Sequence, residues 1–154
     1  MNAINTLLLI AACAVSTGAT GQNLINSKSV EPLAFTACPE PQDVSPLHLY
    51  GLWRAEFSGP VPLPGATLLF EKHAELAGSV AGGINRNGTQ ALIAGDVDEG
   101  EFTLEESSDG KTVSALWSGH VEPGSCGKTI SGDWNDAAST VLVPFVLRKL
   151  PGWQ

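Results

Sequence analysis

SVAGGINRNGTQALIAGDV, residues 79–97, carries one short pattern twice, on either side of a turn. Val80-Gly82-Ile84 and Ile93-Gly95-Val97 each set a glycine midway between two bulky apolar residues. A spacing of two places all three residues of a copy on one face of a β-strand. Between the copies Asn85-Arg86-Asn87-Gly88 is a turn signal, and Asn-Gly favours a tight hairpin. A glycine in the buried face leaves room for a neighbouring large ring and lets the strand coil tightly, as a small closed barrel requires. The pattern recurs at Leu49-Gly51-Trp53, Trp117-Gly119-Val121 and Ile130-Gly132-Trp134.

Working outward, eight strand-like runs follow one another at roughly 49–57, 66–73, 78–85, 89–97, 100–106, 112–121, 128–134 and 141–149. Gly59-Pro60, Asp98-Glu99-Gly100, Ser108-Asp109-Gly110 and Pro123-Gly124 separate further pairs of them. Short connections favour sequential antiparallel neighbours, so the expected fold is all-β: an eight-stranded antiparallel up-and-down barrel. Phe70 to Ala77 is the one stretch that also tolerates a helical turn. One face of the runs collects Leu49, Trp53, Phe57, Leu68, Phe70, Val80, Ile84, Ile93, Val97, Phe102, Leu104, Val113, Trp117, Val121, Ile130, Trp134, Phe145 and Leu147. The other face is mostly polar, the reverse of a membrane barrel. Leu52, Leu69, Leu92, Leu116, Leu142 and Val146 fall on that outer face and suit either a subunit contact, hence a homo-oligomer, or scattered surface positions.

The chain has 154 residues, a net charge of −8 and a pI near 4.7. Such an acidic surface repels nucleic acid and anionic membrane. Residues 1–21 read as a signal peptide, with an apolar run centred on Leu7 to Val15 and small residues after it, too short to span a bilayer. Ile10-Ala11-Ala12-Cys13 also resembles a lipobox, which would lipidate Cys13. Secretion or a periplasmic location is the expectation. Residues 22–47 form an irregular, proline-bearing arm, and 48–154 the barrel domain. In an oxidising compartment Cys38 and Cys126 would pair and staple the arm across one rim.

The opening LYGLW, Leu49 to Trp53, resembles the G-x-W start of avidin-like and lipocalin-like barrels. Ser79-Val80-Ala81-Gly82 and Leu92-Ile93-Ala94-Gly95 sit where avidins carry two similar glycine strands, and Ala115-Leu116-Trp117-Ser118-Gly119 resembles their T-T-W-S-G segment. Spread over residues 49 to 150, the resemblance implies an eight-stranded barrel with a ligand mouth at one end. The polar groups that hold biotin in avidins are replaced here by Ala55, Ile84, Val113 and Ala115. A buried ureido ring would lack hydrogen-bond partners, so biotin is not the expected ligand.

No chemistry of catalysis is legible. His48, His73 and His120 lack metal-ligand spacing, and the acidic run Asp96 to Asp109 misses the EF-hand register, so no metal site is expected. That run reads instead as a solvated acidic hairpin. Glu105 and Glu106 are adjacent, so a strand would point them to opposite faces. The expectation is therefore an exported, non-enzymatic binding protein without cofactor. In one reading Trp53, Trp117, Trp134, Phe57 and Phe70 hold a small apolar ligand at a barrel mouth, or else simply fill the interior. In the other, the loops or the 96–109 hairpin engage another protein, as small periplasmic barrels do when they inhibit lysozyme or proteases.

Overall fold

The computed structural model describes residues 38–60 and 62–152; the expected signal peptide, Cys13 and the arm up to residue 37 lie outside the described residues. Eight strands close into a barrel in sequence order: β1 Gly51–Phe57, β2 Ala66–Lys72, β3 Ser79–Arg86, β4 Thr89–Asp98, β5 Glu101–Ser107, β6 Ala115–Val121, β7 Thr129–Asp136 and β8 Val143–Lys149. Every neighbouring pair is antiparallel, and β1 pairs with β8 from Trp53↔Lys149 to Phe57↔Phe145. An up-and-down barrel of this kind is compatible with a calycin-like architecture. The β3–β4 hairpin turns on Asn87 and Gly88, both at positive φ (50° and 90°), as the Asn-Gly pair promised.

Alternation fills the inside. Trp53, Trp117, Phe70, Phe102 and Phe145 are all but completely buried, with Leu68, Leu104, Ile130 and Leu147 between them. The rings pack edge to face: Trp53 on Phe70 at 5.9 Å, Phe70 on Phe102 at 6.2 Å, and, as a separate pair, Trp117 on Phe145 at 4.7 Å between centroids. Ala55, Ala66, Ala115 and Val143 complete the buried wall. One reading of the sequence is corrected, and one alternative weighed beside a strand is set aside. Val113 is exposed, because the β5–β6 connection runs on to Ser114 and Ala115 takes the first inward place on β6. The stretch after Phe70 continues as strand to Lys72, with no helical turn before β3.

The inward glycines make room for backbone rather than for rings. A Cβ on Gly82 would stand 1.9 Å from the Leu69 carbonyl oxygen, and one on Gly95 2.1 Å from that of Thr103. Gly119 and Gly132 face each other across β6 and β7, where a Cβ would meet Ser131 O at 2.3 Å or Ser118 O at 2.1 Å. The strands coil so closely at these points that no side chain fits. Gly83 points the other way, and a Cβ there would meet nothing nearer than Ala91 O at 3.7 Å.

One end of the barrel is shut by the arm. A 3-10 turn, Pro41–Asp43, leads into a single helical turn, α1, Pro46–Leu49, in which proline holds a first-turn position. Val44 and Leu49 are buried against the barrel, and the Trp53 indole N–H donates to the Leu49 carbonyl at 2.6 Å. Lys149 reaches in from β8, donating Nζ–H to the His48 carbonyl at 2.6 Å above the Trp53 ring. Gly100 and Gly127 supply the seats for Pro41 and Val44, whose atoms lie 3.0 and 3.2 Å from the missing Cβ positions. Cys38 and Cys126 form a disulfide that closes 88 residues of chain and fastens the arm to the β6–β7 loop.

Two outcomes follow from this geometry. Gly132→Ala should cost about 3 kcal/mol or more in urea unfolding, since only a strand shift relieves the overlap, while Gly83→Ala should leave the midpoint almost unmoved. Replacing Cys38 and Cys126 by serine should lower stability by about 4 kcal/mol in the chain-entropy view, with the far-UV spectrum of the barrel retained.

Candidate functional site

The end opposite the arm is ringed by the β1–β2, β3–β4, β5–β6 and β7–β8 connections. Alternation along β5 runs Phe102, Leu104, Glu106, so a carboxylate takes the last inward place before the mouth. Glu106 is 4% exposed. Its Oε1 accepts three hydrogen bonds: from the Trp117 indole at 2.8 Å, the Trp134 indole at 2.9 Å and Arg86 Nη2 at 3.0 Å. Arg86 Nη1 lies 3.4 Å from Oε2, which completes a forked pair. Arg86 ends β3 and reaches over β4 to make it.

Aromatic faces enclose the guanidinium. Arg86 Cζ sits 5.5 Å from the Phe57 ring centroid and 5.4 Å from that of Trp134. Phe57 packs on Trp117 at 5.4 Å and on Trp134 at 6.0 Å, so the three rings form one cluster. A carboxylate this deep is tolerable only with a cation and donors around it, and all are present. Arg86 Nε is the exception: it is buried and has no hydrogen-bond partner.

Of the five aromatic residues singled out in the sequence, Trp117, Trp134 and Phe57 meet at this mouth, whereas Trp53 and Phe70 pack together toward the arm. The structure therefore gathers three of them and separates two. Arg86 and Glu106 were missed, one counted as turn and the other as solvated acid. The period-two series Phe102, Leu104, Glu106 was the signal that placed Glu106 inside.

Outside, the acidic hairpin is exposed along Asp96, Asp98, Glu99, Glu101 and Glu105. Ser79 donates its hydroxyl to Asp96. Among the described residues the ion pairs are Arg86–Glu106 and, if the imidazole is protonated, His120–Glu122 at 3.6 Å; none involves the hairpin's outer carboxylates. Leu52, Leu69, Gly83 and Leu92 lie opposite one another in register across β1 to β4, forming an apolar row that meets the acidic wall at β4. Among the described residues no cluster of His, Cys, Asp and Glu has the arrangement of a metal site. No family model matches the chain, and no curated protein is significantly similar to it in sequence.

The loop beside the mouth is organised by Asp109. Its carboxylate accepts from the N–H groups of Thr112 at 2.7 Å and Lys111 at 2.8 Å, and from the hydroxyls of Ser107 and Thr112. These bonds, the Thr112 N–H first, hold its pKa at about 2 against an ordinary 3.8. At the other end, burial, with Lys128 close by, pushes the Lys149 amine below the usual lysine value. Because the folded pKa of Asp109 is depressed, its bonds support the loop above the unfolded value, and that support is lost as pH falls through about 2. The amide resonances of Lys111 and Thr112 should accordingly titrate near 2, not near 4, and Asp109→Ala should abolish the transition.

Proposed function

We propose that the chain is an exported, non-enzymatic protein-binding module that engages a basic partner through the outer wall of β4 to β6. The observation that carries this reading is the row of exposed carboxylates, Asp96, Asp98, Glu99, Glu101 and Glu105, which no Lys or Arg of the described residues bridges. Exposed Leu92 and Leu116 flank the carboxylates, and Leu69 extends the apolar row. An apolar strip with a charged margin is the composition of a protein contact, and uncompensated charge steers association. The interior supports the same choice, since its large rings pack on one another and the indole N–H groups at the mouth are already engaged. Export is supported by the Cys38–Cys126 disulfide, which persists in oxidising compartments. The likeness to avidin-like and lipocalin-like barrels, whose scaffolds serve binding, agrees with a role without catalysis.

The test compares the intact protein with Asp98→Asn/Glu99→Gln/Glu101→Gln as bait for the exported proteins of its own source. A basic protein held in a one-to-one complex by the wild type should be lost from the triple variant. Its association rate with the wild type should fall at least about tenfold between low and physiological salt. Recovery of the same proteins by both baits, or of an acidic partner, overturns the reading.

A further inference from the structure

At the mouth opposite the arm, four residues from four strands build a receptor for a group that a fifth strand supplies. Glu106 on β5, Trp117 on β6, Trp134 on β7 and Phe57 on β1 surround the guanidinium of Arg86 on β3. The two indole N–H groups fix Glu106 Oε1 independently of Arg86, so the carboxylate is aimed before the cation arrives. The carboxylate presents a fork to a planar donor, and the Phe57 and Trp134 rings flank the cation. A fork plus aromatic faces suits guanidinium better than ammonium, which is a compact and strongly hydrated charge. The resident group also fits imperfectly, because its tether to β3 leaves Nε buried without a partner.

We propose that the barrel mouth is a guanidinium-binding site, with Arg86 as its tethered occupant. The ligand class is a free guanidine or the arginine side chain of a peptide. In the wild-type chain the tether gives Arg86 a high effective concentration, so a free guanidine competes poorly. With the tether removed, the receptor is left with a buried carboxylate, two aimed indoles and an aromatic wall. This inference is independent of the acidic outer wall, because none of its residues belongs to that contact.

The experiment is titration of Arg86→Ala with millimolar methylguanidinium, followed through the indole N–H resonances of Trp117 and Trp134 and through the thermal midpoint. Saturable one-to-one binding, roughly tenfold tighter than ammonium, is the expected result. Arg86→Ala/Glu106→Gln should show no such binding, and the wild type should bind only at much higher concentration, because Arg86 competes for the site. A blocked arginine tripeptide, titrated alongside, identifies a peptide side chain as the source if it binds more tightly, and a free guanidine if it binds more weakly. Equal effects of methylguanidinium, ammonium and sodium chloride on folded Arg86→Ala overturn the proposal. Should Arg86→Ala not fold alone, the comparison becomes its refolding yield with each cation. A yield restored by methylguanidinium alone upholds the site, and equal yields overturn it.

Discussion

At four inward positions the backbone oxygen of one strand occupies the place where the next strand's Cβ would stand. Gly82 against Leu69, Gly95 against Thr103, and the facing pair Gly119 and Gly132 bring β2 to β3, β4 to β5 and β6 to β7 into this contact. Strong coiling at these points tightens the circumference, and eight strands then enclose a space about the width of packed side chains. The large rings of Trp53, Phe70, Phe102, Trp117 and Phe145 take up that space. The contacts proposed above accordingly lie outside the packed interior, at the mouth the arm does not cover and on the outer wall.

The strands and their inward faces were readable because both depend on a local period of two. Predicted and observed strand ends differ by three residues or fewer, and the largest shift, at the start of β6, has a visible cause. Asp109 gathers the Lys111 and Thr112 amides into a turn that outcompetes strand pairing there. The pairing of Cys38 with Cys126 was also legible, since they are the two cysteines left once Cys13 is set aside with the expected export signal. The mouth was not. A charged residue at an inward position contradicts the rule by which faces are assigned, and only its partners make it tolerable. Those partners are contributed by β1, β3, β6 and β7, which are distant in sequence, so no short motif contains the cluster.

Charge is unevenly spread around the barrel. The wall of β4 and β5 is acidic, whereas Arg54 on β1 stands directly opposite Arg148 on β8, with Lys149 beside it. Like charges facing across a ladder repel and cost some pairing energy. Opposite signs on opposite walls give the molecule a dipole across the barrel axis. The basic partner proposed above would be turned toward β4 and β5 before contact, an effect that fades with salt as the screening length shortens.

Closure of β1 on β8 leaves no strand of the barrel with an unpaired edge, which removes the usual template for growth into fibrils. It also makes the order of strands cyclic. The Leu150 N–H donates to the Leu52 carbonyl at 2.8 Å, so the last strand's exit lies beside the first strand's entrance. Considered as a ring, the barrel has no intrinsic beginning. What marks one is the arm, bonded to Cys126 and seated over Gly100 and Gly127, which gives an otherwise rotationally permutable set of hairpins a fixed top and bottom.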